Sequence, residues 1–108
     1  MFGAAAGLGL LLVSAGAAAA PPVDSADVRC FLVAAEMSDT KDKAVETAAS
    51  IMMFYYLGRI DAKDPAANVE ALVEQEVARL TDADKKQLLA SCSAQVQRRG
   101  KELSGGGT

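Results

Sequence analysis

Apolar side chains recur along most of the chain at the spacing of an α-helix, in four stretches separated by short polar segments. The first stretch begins with Asp24 or Ser25 as N-cap and is predicted to end at about Met37. It is apolar on nearly every side, and Arg29 and Glu36 form only a narrow polar strip. A helix with this pattern is buried on most sides, so we expect it to be central in the fold.

A second helix is predicted to start with Ser38 or Asp39 as its cap and to run to roughly Arg59, with Gly58 near its end. We expect it to pack through one broad apolar face. That face comprises Val45, Ala48, Ala49, Met52, Tyr55 and Tyr56, widened by Ile51, Phe54 and Leu57.

Two further helices follow. Asp64 as a cap and Pro65 at the first helical position predict the start of the third helix. Its polar residues are expected to face water: Glu70, Glu74, Glu76 and Arg79. Thr81 and Asp84 resemble a capping box, with Asp in place of the usual Glu, and predict a fourth helix that runs to about Leu103.

The amino-acid composition also favours helices over strands. Between residues 23 and 103 there are one proline and two glycines, and runs of β-branched residues are absent. The sequence therefore predicts an all-α fold, a small four-helix orthogonal or bundle-like domain over residues 20–103. Residues 104–108, SGGGT, are predicted to form a flexible tail.

The amino-terminal segment differs from the rest of the chain. Residues 1–20 carry no charged side chain, and an apolar core is followed by small residues and then by Pro21 and Pro22. This order is typical of a secretory signal peptide, which we place at residues 1–19, with cleavage after Ala19 or one residue to either side. A short membrane anchor is the alternative. The first interpretation predicts a periplasmic or secreted protein with no stable membrane span after cleavage.

Cys30 lies on the predicted first helix and Cys92 on the predicted fourth. In an exported small domain, two cysteines are first interpreted as one disulfide, here joining the first and last helices. The alternative is a reactive thiol pair, although the chain has no C-x-x-C motif and no histidine to lower a thiol pKa. Closing a loop of this length stabilises a fold by roughly 4 kcal/mol in the chain-entropy model.

The sequence contains few residues or motifs that indicate nucleic-acid binding, catalysis or metal binding. The net charge of −3 predicts no nucleic-acid partner. Without histidine there is no His-based triad and no His-ligated zinc, and the predicted mature chain has no glycine-rich phosphate loop. Met37, Met52 and Met53 lack the spacing of a copper site and are predicted to fill the core. We therefore expect no enzyme activity, no cofactor and no metal.

Met52, Tyr55 and Tyr56 on the second helix are the candidate binding surface. The alternative for the tyrosines is packing in the core with the hydroxyl groups reaching the surface. Protein partners or clients are expected but not identified by the sequence, and a homodimer remains an open alternative.

The first-helix residues Cys30, Phe31 and Leu32, with a partner Cys92 on a later helix, resemble the small periplasmic acid-stress chaperones of the HdeA/HdeB type. The stretch YYLG, residues 55–58, is also similar to a turn in small secreted immunity proteins of type VI secretion systems and to uncharacterised exported proteins of alphaproteobacteria. The first resemblance implies a holdase-like binding protein that responds to acid. The second implies an immunity protein or accessory subunit that binds one specific protein.

Overall fold

This computed structural model describes residues 23–105. Within this range the chain forms four α-helices, joined by short turns, and no strands. They are α1, Ser25–Met37; α2, Lys43–Lys63; α3, Val69–Val77; and α4, Asp82–Gly105. The all-α prediction with four helices is confirmed. The signal peptide predicted for residues 1–19 lies outside the described residues.

Helix α1 occupies the centre of the fold. Its predicted boundaries are confirmed, because Asp24 is the N-cap and accepts a 2.9 Å hydrogen bond from the backbone N–H of Ala26. The α1 backbone approaches each of the other three helices closely, whereas within residues 23–105 the α3 backbone approaches only α1 closely. The position of α3 therefore depends mainly on its contacts with one neighbour.

The connection between α1 and α2 differs from the prediction. Ser38 does not start α2; it ends α1, donating from Oγ to the carbonyl oxygen of Ala35 at 2.6 Å. Helix α2 starts after Asp42, whose carboxylate accepts from the backbone N–H of Ala44 at 3.0 Å. The predicted start at Ser38 or Asp39 is wrong because serine and aspartate cap helices and shape turns through the same local hydrogen bonds.

Helix α2 continues to Lys63, about one turn beyond the predicted end at Arg59. It passes through Gly58, which does not end the helix, and no other part of the described chain approaches this residue closely, since no other atom lies within 4 Å of a Cβ placed there. Asp64 then ends α2, and its Oδ1 accepts a 3.0 Å hydrogen bond from the N–H of Ala66. Asp64 therefore forms a turn and does not cap α3.

Helix α3 starts at Val69, later than predicted, and Asn68 is its N-cap through a 3.0 Å hydrogen bond from Ala71 N–H to Oδ1. The capping box before α4 is confirmed. The N–H of Thr81 donates to Asp84 Oδ2 at 3.0 Å, and the N–H of Asp84 donates to Thr81 Oγ1 at 3.1 Å.

Helix α4 extends to Gly105, two residues into the segment predicted as a tail, and residues 106–108 lie outside the described part. All side chains from residue 97 to residue 105 are exposed, so the last turns of α4 project beyond the core. The core itself is built around the centre of α1. Its buried cluster consists of Cys30, Leu32, Val33, Ala34, Met52, Tyr56 and Cys92.

Candidate functional site

The two cysteines form the predicted disulfide. Cys30 on α1 and Cys92 on α4 are 62 positions apart in sequence, and their Cα atoms lie 5.6 Å apart. Both residues are buried within the hydrophobic core. Since they are the only cysteines in the chain, no thiol remains for reactive chemistry. The disulfide is therefore a covalent link between the first and last helices.

Tyr56 lies beside this disulfide and is fully buried. Its hydroxyl donates a 2.8 Å hydrogen bond to the carbonyl oxygen of Cys92. Burial, and secondarily the neighbouring Tyr55, raises the pKa of Tyr56 to about 12. Tyr56 was a candidate for the binding surface, but its ring packs in the core and its hydroxyl is consumed by the contact with α4. It cannot contact a partner in this folded state.

Tyr55 is partly buried at the edge of the core. Its ring meets that of Tyr56 edge to face, with centroids 4.9 Å apart, and the guanidinium carbon of Arg59 lies 5.9 Å from its ring centroid. Gln95 Nε2 on α4 donates to its hydroxyl at 3.4 Å. Tyr55 therefore helps to fix α2 against α4 and presents only part of its ring to solvent.

Met52, the third candidate residue, is 3% exposed and lies at the base of an apolar groove of about 440 Å³ between α2 and α4. The groove is open to solvent and continues to the end of α1. Its lining comprises Met37, Ala44, Val45, Ala48, Ile51, Met52, Ser93, Val96 and Gln97. We call it the α2–α4 groove. Sequence reasoning missed the α4 side because nothing local indicates which turns of α4 pass α2.

An exposed surface without charge runs along α2 and shares Ala44, Ala48 and Ile51 with this groove. It comprises Ala44, Thr47, Ala48, Ile51, Phe54, Gly58 and Ala62, and we call it the α2 strip. Ile51 is 56% exposed and Phe54 is 73% exposed, although the sequence places both on the broad packing face. They face solvent because α1 and α4 cover the opposite side of α2, through Ala49, Met52 and Tyr56.

Asp27, near the start of α1, is the first of two buried carboxylates that join helices. It is 3% exposed, and its Oδ1 lies 2.7 Å from Nε of Arg59 on α2. Nζ of Lys63 lies 3.8 Å from Asp27 Oδ2 and 3.9 Å from Oδ2 of Asp24. The hydrogen bond to Asp27 raises the pKa of Arg59. These residues connect α1 to the last turns of α2.

Glu76 on α3 is the second buried carboxylate and is 5% exposed. Its Oε1 accepts from Nε of Arg29 on α1 at 2.6 Å, and its Oε2 lies 3.4 Å from NH1 of Arg79. The prediction that Glu76 faces water is wrong, because Arg29 supplies a charged partner that compensates burial. Arg29, part of the polar strip of α1, thus holds α3 against the centre of the fold.

A more polar pocket of about 570 Å³ lies between α1, the start of α4 and the segment before it. Arg29 and Arg79 line it, but both are engaged with Glu76. Asp84 also lines it and is engaged in the capping box; the hydrogen bond from the Thr81 backbone lowers the pKa of this carboxyl. The charges around this pocket neutralise one another, so we assign it no ligand.

Within residues 23–105, no three potential metal ligands lie together, and no helix has the length and apolar character needed to cross a bilayer. Comparison with protein families, curated proteins and solved structures finds no match to this chain. The arguments about function therefore depend on the groove, the α2 strip and the buried ion pairs.

Proposed function

We propose that this chain is an exported helical binding protein that opens in acid and holds apolar segments of other proteins. The observation that carries the proposal is the pair of buried carboxylates, Asp27 and Glu76, each joined to an arginine on another helix. Both contacts are charge-assisted hydrogen bonds, which are stronger than hydrogen bonds between neutral groups. The disulfide between Cys30 and Cys92 does not change with acid, so the two kinds of link respond differently to pH.

Acid neutralises carboxylates as a class, while lysine and arginine remain charged. The chain has 14 acidic and 11 basic side chains, so strong acid leaves it with a large positive charge that favours expansion. Positive side chains are concentrated where α2 and α3 contact α1, with Arg59 and Lys63 beside Asp27, and Arg29 and Arg79 beside Glu76. Helices α2 and α3 would then loosen from α1.

The disulfide limits this expansion. It keeps α1 and α4 joined, whereas no covalent bond other than the backbone holds α2 and α3 to them. Loosening of α2 exposes the apolar side chains that it buries, Ala49, Met52, Tyr56 and Ile60. Together with the apolar side chains that line the α2–α4 groove, these would present an extended apolar surface to an unfolding client. An exported location agrees with the disulfide, which is typical of oxidising compartments.

The test follows dye binding by exposed apolar surface, and aggregation of a client protein, from neutral pH down to about pH 2. Acid is expected to expose dye-binding surface and to suppress client aggregation over the same pH range. Asp27→Asn and Glu76→Gln should shift this opening to higher pH, because each removes one buried carboxylate and its two ion pairs in advance. Glu102→Gln, in an exposed pair with Arg99 on α4, is the matched control and should leave the opening unchanged.

A chain that stays compact in acid, or that opens without protecting any client, would contradict the proposal.

The second candidate function is that of an immunity protein or accessory subunit that binds one specific protein. The observation that favours it is the exposure of the α2–α4 groove in the folded state, with no need for acid. It requires a stoichiometric complex at neutral pH. Capture experiments from periplasmic extract at neutral and acid pH distinguish the two functions.

A further inference from the structure

The α2 strip has an internal symmetry. Helix α2 spans 43–63, and the two large apolar residues of the strip, Ile51 and Phe54, lie on either side of its midpoint. Small side chains occupy both ends of the strip, with Ala44 near one end and Ala62 near the other. A surface with this distribution is complementary to itself when a second helix lies antiparallel across it.

We propose that the α2 strip is the contact surface of a homodimer in which the α2 helices of two copies pack antiparallel. A two-fold axis between residues 52 and 53 places Ile51 beside Phe54 of the second copy. The same register places Thr47 opposite Gly58, where the lack of a side chain leaves room for the second backbone. Bulky residues therefore meet at the centre and small ones meet toward the ends.

The charges beside the strip support this orientation. Lys43 and Asp61 are 18 positions apart, which is a whole number of helical turns, so both lie along the same edge of the strip. In the antiparallel register Lys43 lies close to Asp61 of the second copy, and the two-fold axis makes this contact twice. Within residues 23–105 Asp61 has no ion-pair partner, and Lys43 has only an exposed 3.3 Å contact with Glu46.

In a parallel arrangement the edge that carries Lys43 and Asp61 would face the opposite edge of the second copy, so neither residue would meet its oppositely charged counterpart. Arg59, near the other edge of the strip, is already paired with Asp27. The charge pattern thus selects a second copy in antiparallel orientation.

A helix of this length spans about 32 Å, and one helical face buries less than the roughly 800 Å² per partner of a standard interface. We therefore expect a dissociation constant of about 10–100 µM.

This dimer belongs to the folded protein at neutral pH and does not depend on the holdase proposal. It is tested first by sedimentation of the purified, oxidised chain between about 1 µM and about 500 µM, which brackets the expected dissociation constant. A zero-length carbodiimide cross-link between Lys43 and Asp61 then reports the register. Within one copy these residues are about 27 Å apart along α2, so such a cross-link forms only between two copies.

Substitutions test the surface. Phe54→Asp is expected to weaken self-association at least about tenfold, because it places a charge at the centre of the apolar contact. Val77→Asn is the matched control, since Val77 is 43% exposed on α3, away from the strip. Lys43→Asp and Asp61→Lys should each weaken association a few-fold, and the double variant should restore it. Both reversals place charges that suit the α2 dipole, so the helix is retained.

A chain that stays monomeric to about 500 µM overturns the proposal, as does a dimer without the Lys43–Asp61 cross-link. A dimer that Phe54→Asp leaves intact overturns it too. If the pure chain is monomeric and Phe54 is instead required for capturing a different protein, the strip is a surface for that partner and the dimer is rejected.

Discussion

The hydroxyl group of Tyr56 on α2 lies 2.8 Å from the backbone carbonyl oxygen of Cys92 on α4, inside the core and beside the disulfide. One side chain thus connects the second helix to the residue through which the fourth helix is covalently joined to the first. Two independent links, one polar and one covalent, meet at Cys92. Removing either link should weaken the arrangement of α2 and α4 in a measurable way.

Tyr56→Phe should lower the free energy of unfolding by about 1 kcal/mol, since it removes one buried hydrogen bond while the Cys92 carbonyl keeps its second lone pair for the helix. Tyr55→Phe is the control, because its hydroxyl makes only a 3.4 Å contact with Gln95 near the surface. Urea unfolding followed by far-ultraviolet circular dichroism measures the free energy of unfolding of both variants. An equal effect of the two changes would contradict the assignment of Tyr56 as the buried link.

The same tyrosine should make stability depend on alkaline pH. Burial raises the pKa of Tyr56 to about 12 in the folded state, against about 10 for a tyrosine in the unfolded chain. The folded state therefore holds this proton more tightly, so its contribution is complete below pH 10 and is lost as pH rises toward 12. Urea unfolding at several pH values should show this decline in the wild type and less of it in Tyr56→Phe. If Tyr56→Phe lost stability at alkaline pH as steeply as the wild type, the loss would come from other titratable groups.

Replacing both cysteines, Cys30→Ala together with Cys92→Ala, should destabilise the fold by roughly 4 kcal/mol through loss of the cross-link. Because a domain this small has a net stability of the same order, a large fraction of the variant should be unfolded at room temperature. Thermal unfolding measures the loss of stability, and mass measurement after alkylation shows whether Cys30 and Cys92 are bonded in the wild type. Two thiols that alkylate in the oxidised wild type without a reductant would show that the bond is absent in solution.

Glu76→Gln should lower the free energy of unfolding at neutral pH by about 2 kcal/mol. The amide leaves Arg29 without its charged partner, although partial exposure of Arg29 moderates the loss. Glu74→Gln, at an exposed position on the same helix, should change stability by less than about 0.5 kcal/mol. Hydrogen exchange should also show faster opening of α3 in the first variant than in the second. Equal exchange in both would mean that Glu76 does not hold α3.

The fold class and the disulfide could be predicted because they depend on signals that extend over many residues, such as helical periodicity and two cysteines on apolar faces. Helix starts were harder to predict. Ser38 and Asp64 have the chemistry of N-caps, yet both end helices, because the same side-chain hydrogen bonds serve caps and turns. Only the surrounding backbone decides between them.

The candidate site was predicted in part. Met52 does line a groove, but Tyr56 is buried, and the exposed residues Ile51 and Phe54 were assigned to the packing face. Helix α2 carries apolar residues on most of its circumference, so periodicity alone does not show which side the rest of the fold covers. The burial of Glu76 depends on Arg29, 47 positions earlier, and no local pattern connects them.

The bond between Cys30 and Cys92 also closes the intervening chain into a covalent ring. Helices α2 and α3 and the turns on either side of them lie entirely within that ring. A single break in the backbone at the turn around Pro65, or in the segment between α1 and α2, opens the ring but leaves one molecule. Such a nicked chain keeps all four helices attached, and its two fragments separate only when the disulfide is reduced.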